Sequence, residues 1–224
     1  MKVSRKLKSS VLFPTVVSTV EHGDIEENAY FFKQMQKMKA DPSIVNQCEA
    51  ADTTTFIGYQ PNIVWHEHFK NDPMWESFME KIFKHTIQAH MQNHLQVAGF
   101  PVPGSTYHIK NSWAVLYPKN SYQAPHFHRD TSCVFTYYVK VPERPAPENG
   151  ITFINPNLAS TYPSLKAFAY DHTFIPKNGS NVIFPGNIQH YAHPHFSDEE
   201  KMIIVFDIAF EPPENKGPRV NRYQ

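Results

Sequence analysis

Short β-rich runs fill the chain after residue 103, and this feature constrains the fold more than any other. The runs are TYHIKNSWAVLY, HFHRDTSCVFTYYVKV, GITFIN, HTFIP, NVIFP and MIIVFDIAF, with Pro, Gly and Asn between them. Many short strands with such punctuation are typical of an antiparallel sandwich or barrel rather than of βαβ units. Proline accounts for 19 of 224 residues and glycine for only 8. Because proline breaks helix interiors, we expect no long helical bundle after residue 100.

The first hundred residues predict helices instead. Over 23–40, Asp24 is placed to cap a helix whose first turn is acidic, as the helix dipole favours. Over 71–100, Asp72 can cap a second helix with Pro73 at its first position. Apolar residues then recur at three- and four-residue spacing and form one stripe. They are Trp75, Phe78, Met79, Ile82, Phe83, Ile87, Met91 and Leu95.

The segments between and after these elements complete the expected domain layout. Residues 41–64 are expected to form a loop with short extended pieces. The whole pattern predicts a mainly β protein in which a helical and irregular region, 1–100, packs on a β domain, 101–212. Residues 213–224 are expected to form an extended tail.

Charge and cysteine content exclude several classes of function. Lys and Arg total 21 and Asp and Glu total 21, so bulk binding to nucleic acid or to an anionic membrane is not expected. No run approaches the roughly 18 apolar residues of a transmembrane helix, and the basic N-terminus, interrupted by Pro14, makes a poor signal peptide. Cys48 and Cys133 lie far apart and form no CxxC pair, which predicts a reducing, cytoplasmic location.

Histidines at two places in the β domain predict a metal site. In a strand, alternate side chains face the same side, so His126, His128 and Asp130 can all point into one cavity. His190 follows the strand-like NVIFP run and a turn, so it can supply a ligand from a distant strand. Two ligands from one strand and one from another leave coordination positions open, as in non-haem Fe(II) oxygenases.

Two other histidine pairs have metal-like spacing without further support. His66 and His68 form a second HxH with no evident partner, and His90 and His94 lie four residues apart on the predicted long helix. We expect ordinary surface or half-buried histidines at all four positions.

From Trp113 to Phe210 the chain resembles the 2-oxoglutarate/Fe(II)-dependent oxygenase superfamily, most closely a group of uncharacterised oxygenases common in phages and marine bacteria. The matching pieces, in order, are SWAVLYPKNSYQAPHFH, TYYVKVP, NGITFINP, IPKNGSNVIFPGNIQHYAHP and DEEKMIIVFDIAF. The resemblance implies a double-stranded β-helix, a cupin-like jelly-roll barrel buttressed by helices, with a ferrous ion at one mouth.

The resemblance also implies metal ligands. His126 takes the first ligand position and His190 the distal one, whereas most superfamily members have Asp or Glu where this chain has His128. Two ligand sets therefore remain open: His126, His128 and His190, or His128, Asp130 and His190. Tyr117, nine residues before His126, favours the first set, in which Asp130 orients an imidazole from outside the coordination sphere.

The same resemblance implies a cation for the distal carboxylate of 2-oxoglutarate. Lys201, eleven residues after His190, stands where relatives usually have Arg. A lysine offers a point charge instead of a bidentate fork, so weaker or differently oriented anchoring is expected. Tyr117 or Tyr138 can donate a hydroxyl to the same carboxylate. The alternative is that Lys201 is a surface lysine after an acidic segment.

The function implied is hydroxylation of a C–H bond in a small-molecule or peptidyl substrate, with release of succinate and CO2. Fe(II) and 2-oxoglutarate are the implied cofactor and cosubstrate, with ascorbate as a further candidate. Two alternatives remain: a three-histidine cupin-type dioxygenase that needs no 2-oxoglutarate, and a structural or binding jelly roll without catalysis. The expected location is the cytoplasm, or the host cytoplasm if the chain is phage-encoded, and the sequence predicts no oligomeric state.

Overall fold

Two antiparallel sheets form the β part of the protein. The computed structural model describes residues 15–23, 25–50, 58–98, 103–155, 171–211 and 213. Its strands are β1 (Ser18–Glu21), β2 (Thr106–Tyr117), β3 (Gln123–His126), β4 (Cys133–Lys140), β5 (Ile151–Ile154), β6 (Asp171–Phe174), β7 (Ser180–Pro185), β8 (His190–Ala192) and β9 (Lys201–Glu211). The larger sheet has the order β1-β7-β4-β9-β2, and the smaller sheet has the order β3-β8-β5-β6.

Helices cover the outer face of the larger sheet. They are α1 (Glu26–Ala40), α2 (Gln47–Ala50), α3 (Trp65–His68), α4 (Pro73–Phe78), a π-helical segment (Met79–Lys84) and α5 (His85–Ala98). One buried apolar cluster joins the helices to the sheet, and in it the ring of Phe78 packs edge-on against Tyr137 of β4. No helix in these described ranges is long and apolar enough to cross a bilayer.

Strand β9 shows why its sequence is a nearly continuous apolar run. Its even-numbered residues, including Ile204 and Phe206, pack against the helices. Its odd-numbered residues Ile203 and Val205 face the smaller sheet in a second apolar cluster. Because both faces of the strand are buried, the two-residue alternation is hidden, as in any strand covered on both sides.

The predicted mainly β jelly roll with N-terminal helices is confirmed. The run predicted over 106–117 is strand β2 without any shift of its ends, and the helical stripe forms α4, the π-helical segment and α5. The 126–141 run, by contrast, is interrupted, because β3 ends at His126 and β4 begins at Cys133.

Other parts of the predicted layout differ or are not described. The N-terminal region also supplies an edge strand, since β1 pairs with β7 of the larger sheet. Four residues are too few to show the two-residue alternation of a strand, so the sequence does not predict β1. The strand pairs here because β7 would otherwise present an unpaired edge. Helix α1 begins at Glu26 after an Ile25 cap, and the expected cap Asp24 lies outside the described residues. So does the expected tail 213–224, apart from Pro213.

The predicted cap of the second helix is present. The Asp72 carboxylate accepts hydrogen bonds from the backbone N–H groups of Met74, at 2.9 Å, and Trp75, at 3.1 Å. The hydroxyl of Tyr30, on α1, donates to the same carboxylate. Asp72 therefore satisfies the free N–H groups of α4 and ties α1 to the following helix.

We expect the Asp72→Ala substitution to lower the free energy of unfolding by about 1–2 kcal/mol, because the N-terminal N–H groups lose their acceptor. Chemical denaturation of the metal-free protein measures this. The control is Glu80→Ala, which removes an exposed carboxylate paired with Lys84 and should cost at most about 0.5 kcal/mol. Equal effects of the two substitutions would contradict a stabilising cap.

Candidate metal and cosubstrate site

Three histidine side chains meet where the smaller sheet faces the larger one. His126 ends β3 and His190 begins β8, and the two residues are direct partners in the antiparallel register. His128 lies two residues after the end of β3. One ring nitrogen from each histidine lies within 4.8 Å of the other two, and the rings of His126 and His190 are centred 4.2 Å apart.

Backbone carbonyls fix the tautomer of two of these rings. The Nδ1 atom of His126 is 2.9 Å from the carbonyl oxygen of Ala124, and Nδ1 of His190 is 2.9 Å from that of Ile188. A carbonyl oxygen only accepts, so each Nδ1 carries the hydrogen and each Nε2 keeps its lone pair. Burial lowers the pKa of His126 and lowers that of His190 to about 3. Both rings are therefore neutral at pH 7, as metal ligands must be.

A carboxylate fixes the third ring. The Nδ1 atom of His128 is 2.6 Å from an Oδ1 oxygen of Asp207, on β9. Trp113 stacks on the same imidazole at a centroid distance of 5.7 Å. Sequence reasoning missed Asp207, although a single acid within the apolar run MIIVFDIAF was a signal that could have found it.

Asp130 does not occupy the position expected for it. Strand alternation ends with β3 at His126, and Asp130 follows in a turn with a positive φ of 55°. Its side chain is exposed and is not part of the histidine group in the described chain. The structure therefore brings together the first predicted set of residues, and Asp207, rather than Asp130, contacts an imidazole.

The histidines line one part of a cavity between the sheets. Lys201, at the start of β9, lines the same cavity and is only 1% exposed. Its Nζ atom lies 4.4 Å from the ring centre of Tyr117. Burial lowers the pKa of Lys201 to about 7, and none of the ion pairs within the described ranges involves it. Lys201 is therefore a buried cation facing a cavity, not a surface lysine.

Both predicted tyrosines also line this cavity. Burial raises the pKa of the Tyr117 and Tyr138 hydroxyls above the usual value for a phenol. Both groups therefore stay protonated at neutral pH and can donate hydrogen bonds. The Tyr117 hydroxyl is 3.3 Å from the side-chain oxygen of Gln123.

The other histidine pairs lie elsewhere. His66 is on α3 and its Nδ1 atom is 2.8 Å from the Ser112 hydroxyl. His90 and His94 lie on α5 with ring centres 5.9 Å apart. Within the part of the chain that the structure describes, no third His, Cys, Asp or Glu joins either pair in a metal-sized group.

Comparison with known proteins adds the family. Residues 111–207 match a family model described as "Putative 2OG-Fe(II) oxygenase". Residues 111–207 form a 2OG-Fe(II) oxygenase domain. The matched range includes all three clustered histidines, Lys201 and Asp207. No curated protein sequence is significantly similar to this oxygenase.

Solved structures share the fold of the oxygenase at low sequence identity. The α-ketoglutarate-dependent epimerase SnoN from nogalamycin biosynthesis aligns with a TM-score of 0.56 and 15% identity, over 88% of this chain and 80% of its own. HygX from Streptomyces hygroscopicus, solved with nickel and 2-oxoglutarate, has a TM-score of 0.55 and 10% identity, over 89% and 84%. A Pseudomonas putida prolyl-4-hydroxylase has a TM-score of 0.53 and 12% identity, over 85% and 91%.

The chemistry of the site fits the cofactors of this family. Imidazole nitrogens are suitable donors for Fe(II). The buried ammonium of Lys201 is a suitable partner for an anion that enters the cavity, because an isolated buried charge is costly without one. Fe(II) is the metal of this oxygenase and 2-oxoglutarate is its cosubstrate.

Proposed function

We propose that His126, His128 and His190 bind Fe(II) and that Lys201 binds the distal carboxylate of 2-oxoglutarate. In this proposal the oxygenase hydroxylates a C–H bond of a small-molecule or peptidyl substrate and releases succinate and CO2. The observation that carries the proposal is one cavity lined both by three converging imidazoles and by a buried cation.

The iron, when bound, supplies the redox chemistry of the reaction. The residues of the chain contribute binding and orientation. The carbonyl groups of Ala124 and Ile188 hold two imidazoles with Nε2 toward the metal position. Ile203 and Val205 lie between Lys201 and Asp207 on the inner side of β9, so an apolar wall separates the two charged residues.

Lys201 suits the cosubstrate role because of its surroundings. Its charge is desolvated and unpaired in the described structure, so a carboxylate that reaches it forms a strong ion pair in a medium of low polarity. The Tyr138 hydroxyl, from the neighbouring strand β4, can donate to the same carboxylate. A lysine makes no bidentate contact, so this second donor restricts the carboxylate's orientation.

The buried cation also separates this function from the two alternatives. A three-histidine dioxygenase that needs no 2-oxoglutarate has no use for Lys201, and neither has a structural jelly roll. In both cases a buried ammonium without an anion destabilises the fold. The structure therefore favours a site that receives an anionic cosubstrate.

We also infer a cytoplasmic location. Neither Cys48 nor Cys133 is in a disulfide, and Cys133 is fully buried within β4. Free cysteines persist in a reducing compartment, whereas secreted proteins tend to pair them.

Measurement of succinate release tests the proposed function. We expect succinate from 2-oxoglutarate only when Fe(II), O2 and an accepted substrate are present, with ascorbate added to keep the iron reduced. Peptidyl proline, free amino acids, nucleobases and small metabolites form the substrate panel, and mass spectrometry follows the product. A hydroxylase adds one oxygen atom, whereas an epimerase, the activity named for SnoN, leaves the mass unchanged. Failure of the metal-loaded protein to bind 2-oxoglutarate would contradict the proposal.

A further inference from the structure

The three-histidine site lacks a negative charge in its ligand set. Imidazoles are neutral donors, whereas the facial site of many non-haem Fe(II) oxygenases includes a carboxylate. A divalent ion held only by neutral ligands keeps its full charge in a half-buried cavity, which is unfavourable without a compensating anion. An acid next to one of the ligands can provide that compensation.

Asp207 is the acid in contact with the site. Its Oδ1 oxygen lies 2.6 Å from Nδ1 of His128, and its side chain is only 19% exposed. The residue is held in the middle of β9, where it pairs with Asn111 on one side and Val134 on the other. Within the described ranges its ion pair is with His128.

The contact differs in kind from those of the other two ligands. His126 and His190 donate to backbone carbonyls, which are neutral and fix only the tautomer. His128 donates to a carboxylate, so its ring is held by a charged acceptor. A hydrogen bond to a charged group is about twice as strong as one between neutral groups, and it makes the opposite nitrogen of the ring a better donor.

The backbone explains why this ligand needs a side-chain partner. His126 and His190 are strand residues, whereas His128 lies beyond the end of β3 in a loop that leads to the positive-φ turn at Asp130. The Asp207 carboxylate and the stacked Trp113 ring together restrain the imidazole. Asp207 therefore connects a loop ligand to the rigid larger sheet.

We infer that Asp207 is a positioning residue that orients His128 toward the metal and supplies the negative charge that three histidines lack. The inference rests on the proposed function, because it requires His128 to be a metal ligand. It also assigns separate tasks to two residues of one strand: Asp207 supports the metal, and Lys201 binds the cosubstrate.

Anaerobic calorimetric titration of the metal-free protein with Fe(II) tests this inference. We expect Asp207→Ala to raise the Kd for Fe(II) about 10–100-fold, the usual effect of removing a residue that orients a metal-binding histidine. Asp207→Asn keeps an oxygen that accepts from Nδ1 but removes the charge, so its Kd should lie between those of the wild type and the alanine variant. Unchanged Fe(II) affinity in Asp207→Asn would overturn the charge part of the inference.

The matched control is Glu211→Gln, at the end of the same strand. Glu211 also pairs with a histidine, His108, at 2.9 Å, but both side chains are exposed, and we expect no change in the Kd for Fe(II). A purely structural role of Asp207 would lower the unfolding free energy of the metal-free protein and leave the Kd unchanged, which would overturn the inference. If His128→Ala also leaves the Kd unchanged, the proposed metal site itself fails; if it weakens binding and Asp207→Ala does not, only this inference fails.

Discussion

Replacing Lys201 with methionine weakens the binding of 2-oxoglutarate to the Fe(II)-loaded oxygenase about 100-fold, because a buried carboxylate then lacks its counter-charge. Methionine keeps the length and volume of the lysine stem, so the cavity is not enlarged. Fe(II) affinity should not change, since Lys201 takes no part in the histidine cluster. Anaerobic calorimetry with 2-oxoglutarate measures the loss.

The same interaction sets a pH dependence. Burial lowers the pKa of Lys201 to about 7, so above that pH the lysine is neutral in the free protein and must take up a proton when the carboxylate binds. The Kd for 2-oxoglutarate should therefore be constant below pH 7 and rise about tenfold per pH unit above it. In Lys201→Arg the guanidinium stays charged, and the Kd should be independent of pH from 7 to 9.

An exposed lysine provides the control for both measurements. Lys119 is half exposed and paired with Asp198, and Lys119→Met should alter neither the Kd nor its pH dependence. Equal 2-oxoglutarate affinity in the wild type and in Lys201→Met would remove the assignment of Lys201, and a flat pH profile in the wild type would show that Lys201 stays charged.

Much of this fold follows from local patterns in the sequence. Strand β2 and the helix that starts after Asp72 were predictable because alternation, helical spacing and capping are encoded in neighbouring residues. Local patterns make His190 only a candidate partner of His126, and the family resemblance supports the pairing, since 64 residues separate the two. No local pattern reports which distant strands become neighbours in a sheet.

The parts that were missed depend on contacts between distant segments. A single acid in an apolar strand marks Asp207 as unusual, but the sequence does not show that it contacts His128, which is 79 residues away. Strand alternation predicts Asp130 beside the histidines, but the chain leaves the sheet after His126, so Asp130 does not lie there. The π-helical segment Met79–Lys84 continues the apolar stripe without a break in the sequence, so helical periodicity could not distinguish it from an α-helix.

Replacing His190 with alanine should abolish tight Fe(II) binding, with at least an about 100-fold rise in the Kd. His190 is the only member of the described histidine cluster that comes from β8, and it is 4% exposed among the rings of His126 and Phe184. Without it, the two remaining histidines lie two residues apart in one segment and would contact the proposed ion from one side only. Loss of the His190 imidazole removes one metal–nitrogen bond of the proposed site. It also removes the chelate in which residues from β8 and from the end of β3 hold one ion.

Two nearby substitutions show whether this loss is specific. His193 lies three residues after His190, and its Nε2 atom contacts the Thr152 hydroxyl at 2.7 Å, away from the cluster. His193→Ala should therefore keep the wild-type Fe(II) affinity. Asp130→Ala should keep it as well, because the exposed turn holds that carboxylate away from the histidines. Weaker binding in Asp130→Ala with unchanged binding in His190→Ala would mean that a different set of ligands holds the metal, because the proposed site takes its distal donor from β8.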